Sequence, residues 1–361
     1  MIYLLLVFLT LAVLPLGFSP YRTLSRVVVI YIALLLIMLV ALNFSVGQDY
    51  FAYLSMFEAV PDLYGSGLVH SYNRIHGEWG FLLVNSVLKT FGFSFNGVLL
   101  FTSSVSILII TAVSIRFAHI APLALFIYFS LFFLVLQFVK IRMGLATSLV
   151  LLSVVFVYQR KLILSSAIII IAASFQKFAI TALVLLFLCY QPYKRLLWML
   201  FIFSWILSYL KPLEFIVNSV LGIDLYVFEQ LTHYSTKEKY DGNDFPILAY
   251  LYRLGLLGII ISLYSKFKRR DSLIEVTLIT YGLGLFCLVA FWELSFIAVR
   301  LHGMFSIVLV ILIPRVYFFS REVVLKRALL IFVIPFSLYS FYKTVAVAQH
   351  NFMPYTTILG L

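Results

Sequence analysis

Twelve long apolar runs constrain this chain more than any motif does. They lie at about 1–18, 27–44, 97–115, 121–139, 143–159, 162–175, 178–192, 196–210, 248–265, 273–291, 301–318 and 328–347. Each approaches the roughly 20 residues a helix needs to cross a bilayer. The runs are continuous, whereas strands of a transmembrane barrel alternate over about 10 residues. Hydrophobic residues make up 64% of the chain and charged ones only 11%, against about 25% charged in a soluble domain. The expectation is an all-α, polytopic transmembrane helix bundle of about 12 spans, a single integral-membrane domain over 1–361. The piece 79–91 is amphipathic, too short to cross and carries Lys89, so it reads as an interfacial or re-entrant helix. Met1 to Phe18 has no charged leading region and no small-residue cleavage site, and reads as a retained first helix.

The formal charge of +12 does not point to nucleic acid, because no basic stripe carries interleaved stacking aromatics. Most basic residues fall in alternate short loops: Arg22/Arg26, Arg116, Arg160/Lys161, Lys194/Arg195, Lys266/Lys268/Arg269/Arg270 and Arg321/Lys326/Arg327. The positive-inside rule places those loops in the cytoplasm. The opposite side then holds both termini and two longer loops, 45–78 and 211–247. These include Pro61, Gly65, Gly67 and Asp241-Gly242-Asn243-Asp244, and they read as substrate-facing caps. Between Leu162 and Pro192 there are 31 residues for two crossings. As helix they reach roughly 46 Å, where two full crossings need about 60 Å. Gln176-Lys177, at the midpoint, is therefore expected below the outer membrane surface.

Charged groups in so apolar a chain need a reason. By this topology five elements meet on the non-cytoplasmic side: Asp49/Tyr50/Tyr53, Glu78, Lys140/Arg142, Gln176/Lys177 and Glu293/Arg300/His302. Arg142, with Lys140 beside it, can clamp a phosphate or diphosphate, or simply snorkel to the interface. Glu293 and Arg300 are seven apart and share a face if the stretch is helical, as a site pair or as a structural ion pair. His302 fits packing as well as chemistry. Lys177 is either buried in the bundle or lining a wet cavity. Asp49 can serve as a general base, a sugar-hydroxyl ligand or a helix cap. Tyr50 and Tyr53 can stack on sugar rings or form an aromatic belt, while Glu78 beside Trp79 suits sugar binding or the N-terminus of an interfacial helix. Histidines are few and scattered, and Cys189 and Cys287 lie in separate apolar runs, so neither a metal site nor a disulfide is expected. Walker, GxSxG and HExxH motifs are absent.

Four short pieces carry a family resemblance: Gly47-x-Asp49-Tyr50-x-x-Tyr53, Glu78-Trp79-Gly80-Phe81-Leu82-Leu83-x-Asn85, Gln137-x-x-x-x-Arg142-x-Gly144-Leu-Ala146, and Arg300 opening a late helix. Together, over about residues 25–320, they resemble the EpsG-type branch of the Wzy-class polysaccharide polymerases, which build O-antigen, capsule or exopolysaccharide. The family commonly places a His before a small-residue pair in the middle hairpin. This chain reads Ser174-Phe175-Gln176-Lys177-Phe178-Ala179 there, which leaves that role unassigned.

The resemblance implies a GT-C-like membrane glycosyltransferase in the bacterial cytoplasmic (inner) membrane, with its site facing the periplasm or cell exterior. It implies transfer of an undecaprenyl-diphosphate-linked glycan onto the sugar of a second lipid-linked repeat unit, with no cofactor and no metal. Implied partners are the lipid-linked donor and acceptor, membrane lipids, a chain-length regulator and a flippase. On this reading Asp49, Glu293 and Glu78 are candidates for the base. Arg142, Lys140, Lys177 and Arg300 are candidates for the diphosphate, and Tyr50, Tyr53, Trp79, Gln176 and His302 for the sugar. Two other functions stay open: a lipid-linked oligosaccharide flippase, and a membrane acyltransferase that modifies surface sugars. A flippase is expected to show pseudo-repeats, and an acyltransferase an early His. Neither is present, the first His being His70.

Overall fold

The computed structural model describes residues 2–65, 72, 75, 77–210, 245–347, 352 and 355–358. Gly67, Asp241-Gly242-Asn243-Asp244 and all but the end of the loop 211–247 lie outside the described residues. Among the described residues the regular elements are helical, with one isolated bridge between Asn43 and Thr357. The helices are α1 Ile2–Phe18, α2 Arg22–Ala41, α3 Tyr50–Ala59, α4 Trp79–Thr90, α5 Phe95–Val113, α6 Ala121–Tyr128, α7 Ile141–Tyr158 and α8 Leu162–Phe175. There follow a 3-10 stretch Lys177–Val184, α9 Leu185–Leu188, α10 Tyr193–Leu210, α11 Ile247–Ser265, α12 Ser272–Ala290, α13 Ser295–Ser306, α14 Leu309–Phe319 and α15 Val323–Val347.

Six of these are long and apolar enough to cross a membrane: α2, α5 with the π-helical stretch Ser114–Ala118 that continues it, α7, α11, α12 and α15. They become seven if the pair Trp292–Ser306 and Leu309–Phe319, bent by 41°, counts as one span. Four further apolar helices are shorter: Ile2–Phe18, Ala121–Phe133, Leu162–Phe175 and Lys177–Leu188. By length alone, then, the described helices supply about half of the twelve expected spans. Local causes account for the short ones. After Tyr128 the helix widens into two π-helical stretches, Phe129–Phe133 and Val135–Val139. At Gln176 the backbone leaves the helix (φ −149°, ψ 109°), so α8 ends after 14 residues, about 21 Å. The expected short hairpin is therefore present.

The basic loops gather at one end of the bundle. The Arg22 guanidinium lies over Phe318, Phe117 packs on Tyr158, Tyr193 on Tyr264, and Lys266 pairs with Glu322. Arg315 ties this end together. Its Nε and Nη2 meet Asp271 Oδ2 at 2.9 and 2.8 Å, and its Nη1 donates to the Phe117 carbonyl at 2.9 Å and to His119 Nε2 at 3.1 Å. Asp271 also caps α12, accepting from the Leu273 and Ile274 amides.

At the other end both terminal segments meet the α2–α3 loop. Tyr3 packs edge-on against Phe138, Phe352 and Tyr355. The Phe44 amide donates to the Thr356 carbonyl at 3.0 Å, and Ile358 to Leu42 at 3.1 Å. Asn96 donates to the Ala41 and Asn43 carbonyls, and Lys89 donates to the carbonyls of Phe57, Glu58 and Val60. These contacts satisfy carbonyls that helix ends leave open. They also show what Lys89 does: it ties the non-spanning helix α4 to the end of α3.

Candidate functional site

The site is built where three motif pieces are forced into contact by small residues. Gly47 has φ +111°, a backbone state that side chains resist. It also lies so close to Phe138 that a β-carbon would overlap the Phe138 carbonyl oxygen. The α2–α3 loop is thereby seated on the turn that leads to Lys140, and Asp49 follows at the N-cap of α3. Gly80 plays a similar part in the first turn of α4. A β-carbon there would collide with Ser174, two residues before Gln176. That contact sets Glu78, the N-cap of α4, beside the α8 break.

Glu78 and Arg142 form an ion pair across 64 residues of sequence, with side chains only 13% and 22% exposed. The guanidinium carbon of Arg142 also lies 5.5 Å from the Tyr53 ring centre and 5.9 Å from that of Phe81. Cation–π contacts of this kind hold the fork in one orientation. Asp49 sits within electrostatic reach of Arg142, Arg300 and Lys140. Burial pushes its carboxyl above the usual range, and the three cations pull it partly back. Burial, then Arg300, holds the Lys140 ammonium below the usual lysine range, while Asp49 opposes the shift. The buried Tyr53 phenol is raised, first by burial, with Arg142 opposing. Two acids, three cations and a phenol thus share one partly dry site at the end of the bundle that carries both terminal segments.

The remaining expected residues are placed as follows. Lys177 is exposed at the start of the 3-10 stretch, and Gln176 is buried at the helix break. Glu293 lies in a 3-10 turn, Trp292–Leu294, and α13 with Arg300 starts only at Ser295. The regular helix assumed for that pair is interrupted at Leu294 (φ −114°, ψ 75°). The Tyr50 ring is enclosed by Phe44, Phe51 and Phe95, so protein occupies the faces a sugar would use. Trp79, by contrast, is 62% exposed. His302 sits inside α13, bonded to the Ser306 hydroxyl at 3.3 Å. It lines a cavity with Lys140 and Arg253. Arg253 is the site-region residue that motif reading passes over, although an arginine inside the apolar run 248–265 is a signal in itself. Among the described residues no three His, Cys, Asp or Glu side chains gather as a metal ion requires.

Comparison with known families decides what this arrangement belongs to. The model of the EpsG family matches residues 26–357. This chain belongs to the EpsG family. EpsG is a Wzy-like polymerase family, so the chain is a polysaccharide-polymerase-like membrane protein. The matched span runs from α2 to the C-terminal residues that pair with it. No curated protein and no solved structure matches the chain.

Proposed function

We propose that this EpsG-family chain is a polysaccharide polymerase. It joins lipid-diphosphate-linked glycans on the outer face of the bacterial cytoplasmic membrane, through twelve passes of the chain and without a metal. The observation that carries the reading is the half-buried cluster in which Asp49 stands within electrostatic reach of Arg142, Arg300 and Lys140. The basic loops at the far end of the bundle support an outward-facing site, since lysine and arginine favour the cytoplasmic side.

The reaction breaks the bond between a sugar's anomeric carbon and the diphosphate and forms a bond from that carbon to an acceptor hydroxyl. The hydroxyl proton goes to a base, and the lipid diphosphate leaves with the bonding pair. Asp49 is the base. Its raised affinity for a proton suits it to that task, while Glu78 is engaged with Arg142. Arg300 and Lys140 meet the charge that develops on the diphosphate, and Arg142, steered by Glu78, Tyr53 and Phe81, completes the clamp. Exposed Trp79 is placed to stack on sugar, and Lys177 extends the positive rim. The donor and acceptor lipids, and any chain-length regulator or flippase, belong to the same proposal.

The test is reconstitution of the purified chain with lipid-linked repeat units. A ladder of products is expected. Movement of the units across the bilayer with no ladder would replace this reading with a flippase.

A further inference from the structure

Below Lys140 the bundle encloses a cavity of about 310 Å³. That is at the lower limit of ordinary small-molecule sites. Its floor and one wall are apolar and come from the π-helical stretch, α14 and α15, including Phe132, Leu136, Ile313 and Phe336. The other wall is polar: Arg253, Tyr281, His302 and Ser306. Arg253 stands in the membrane-crossing helix α11, within electrostatic reach of His302 and Tyr281. No carboxylate among the described residues lines the cavity or pairs with Arg253. The Ser337 hydroxyl, fully buried on the same cavity, has no hydrogen-bond partner among the described residues.

An arginine at this depth with no carboxylate beside it among the described residues is costly. A ligand that supplies an anion to Arg253 and Lys140, an acceptor for Ser337 and a long apolar tail would remove that cost. Lys140 faces both this cavity and Asp49, so such a ligand would present its head to the acid-and-cation cluster.

We propose that the Arg253 cavity is a second lipid-diphosphate site, which holds the head and first units of one polyprenyl chain while the Arg142 cluster holds the other. This rests on the polymerase reading, whose reaction needs two lipid-linked substrates at once. The apolar wall selects a prenyl chain, and Arg253 in the polar wall, with Lys140 shared between the two sites, selects the diphosphate. The remainder of the chain leaves between α11 and α15, the two peripheral helices that both line the cavity.

Native mass spectrometry of the purified full chain tests this, with a polyprenyl diphosphate as probe and phosphatidylglycerol and inorganic diphosphate as comparisons. Two polyprenyl diphosphates are expected on the wild type. One is expected on Arg253→Met and one on Ser337→Leu, which fills the cavity without removing charge. Arg253→Lys should retain two, with the second weakened roughly tenfold through loss of the planar fork. Ser337→Leu decides the matter if Arg253→Met does not fold. Two polyprenyl diphosphates on both Arg253→Met and Ser337→Leu would overturn this site and leave the polymerase reading intact. Equal occupancy by phosphatidylglycerol would do the same, and so would occupancy by inorganic diphosphate alone. A wild type that binds none would overturn both.

Discussion

Gly47 lies directly against the carbonyl oxygen of Phe138, with no room for a β-carbon between them. Two distant stretches of chain are locked together at that contact, and Asp49 and Lys140 reach the same site because of it. Gly47→Ala meets a steric block and a positive φ at once. The expected outcome is a folded protein with a displaced α2–α3 loop and polymer yield reduced at least tenfold. Circular dichroism and expression level check the fold, and ladder intensity checks the activity. Unchanged ladders would mean the contact does not position the site.

Glu78 and Arg142 should behave as a unit. Removing one partner of a buried pair costs about 3–5 kcal/mol, and partial exposure here brings the expected figure to about 2 kcal/mol. Glu78→Gln should therefore lower the unfolding midpoint in detergent and also release the Arg142 fork. The double variant Glu78→Gln/Arg142→Met should recover stability but not activity. A double variant as unstable as the sum of the singles would show that the two do not interact.

The pH profile carries a signed prediction. Asp49 works deprotonated, so activity falls as pH drops through its pKa, which lies above the usual carboxylate range. Lys140 works protonated, so activity falls as pH rises through a pKa below the usual lysine range. Arg300 lowers both values. In Arg300→Met the residual activity should show both limbs moved upward. A profile with either limb unmoved contradicts the assigned neighbourhood.

The Arg315 clasp at the opposite end should affect stability rather than catalysis. Arginine only donates, so His119 Nε2 accepts from Arg315 and is unprotonated there. Burial, then Arg315, lowers the His119 pKa below its ordinary value. The unfolded chain therefore binds the proton more readily, and folding stability falls as pH drops below about 6.5. Thermal unfolding between pH 5 and 8 should show this slope, and His119→Gln should flatten it. Asp271→Ala removes both the α12 cap and the arginine's carboxylate, and should cost about 3 kcal/mol.

Much of this arrangement was legible in the chain because charge is scarce in it. Asp49, Glu78, Lys140, Arg142 and Arg300 stand out against an apolar background, and the structure brings Asp49 to the three cations and Glu78 to Arg142. The short hairpin around Gln176 was also legible, since 31 residues cannot make two full crossings as helix. What hydropathy does not carry is backbone geometry. The π-helical stretches before Lys140 leave the apolar pattern untouched, and the break at Leu294, between the runs 273–291 and 301–318, interrupts the helix that would put Glu293 and Arg300 on one face. Pairing across 64 residues leaves no local trace, so the sequence does not show that Glu78 holds Arg142. Nor does the sequence reveal that three phenylalanines enclose Tyr50. Arg253 is masked for a different reason: one arginine barely lowers the hydropathy of the run 248–265 that contains it.

If Asp49 takes the acceptor proton at a site the cations assemble, Asp49→Asn is the decisive variant, reconstituted at matched protein level with lipid-linked repeat units and followed through a single transfer. Asparagine keeps the shape and cannot accept the proton. Both substrates should still bind while the transfer rate falls at least a hundredfold, in the range general-base removal produces. Transfer at the wild-type rate would contradict that role for Asp49.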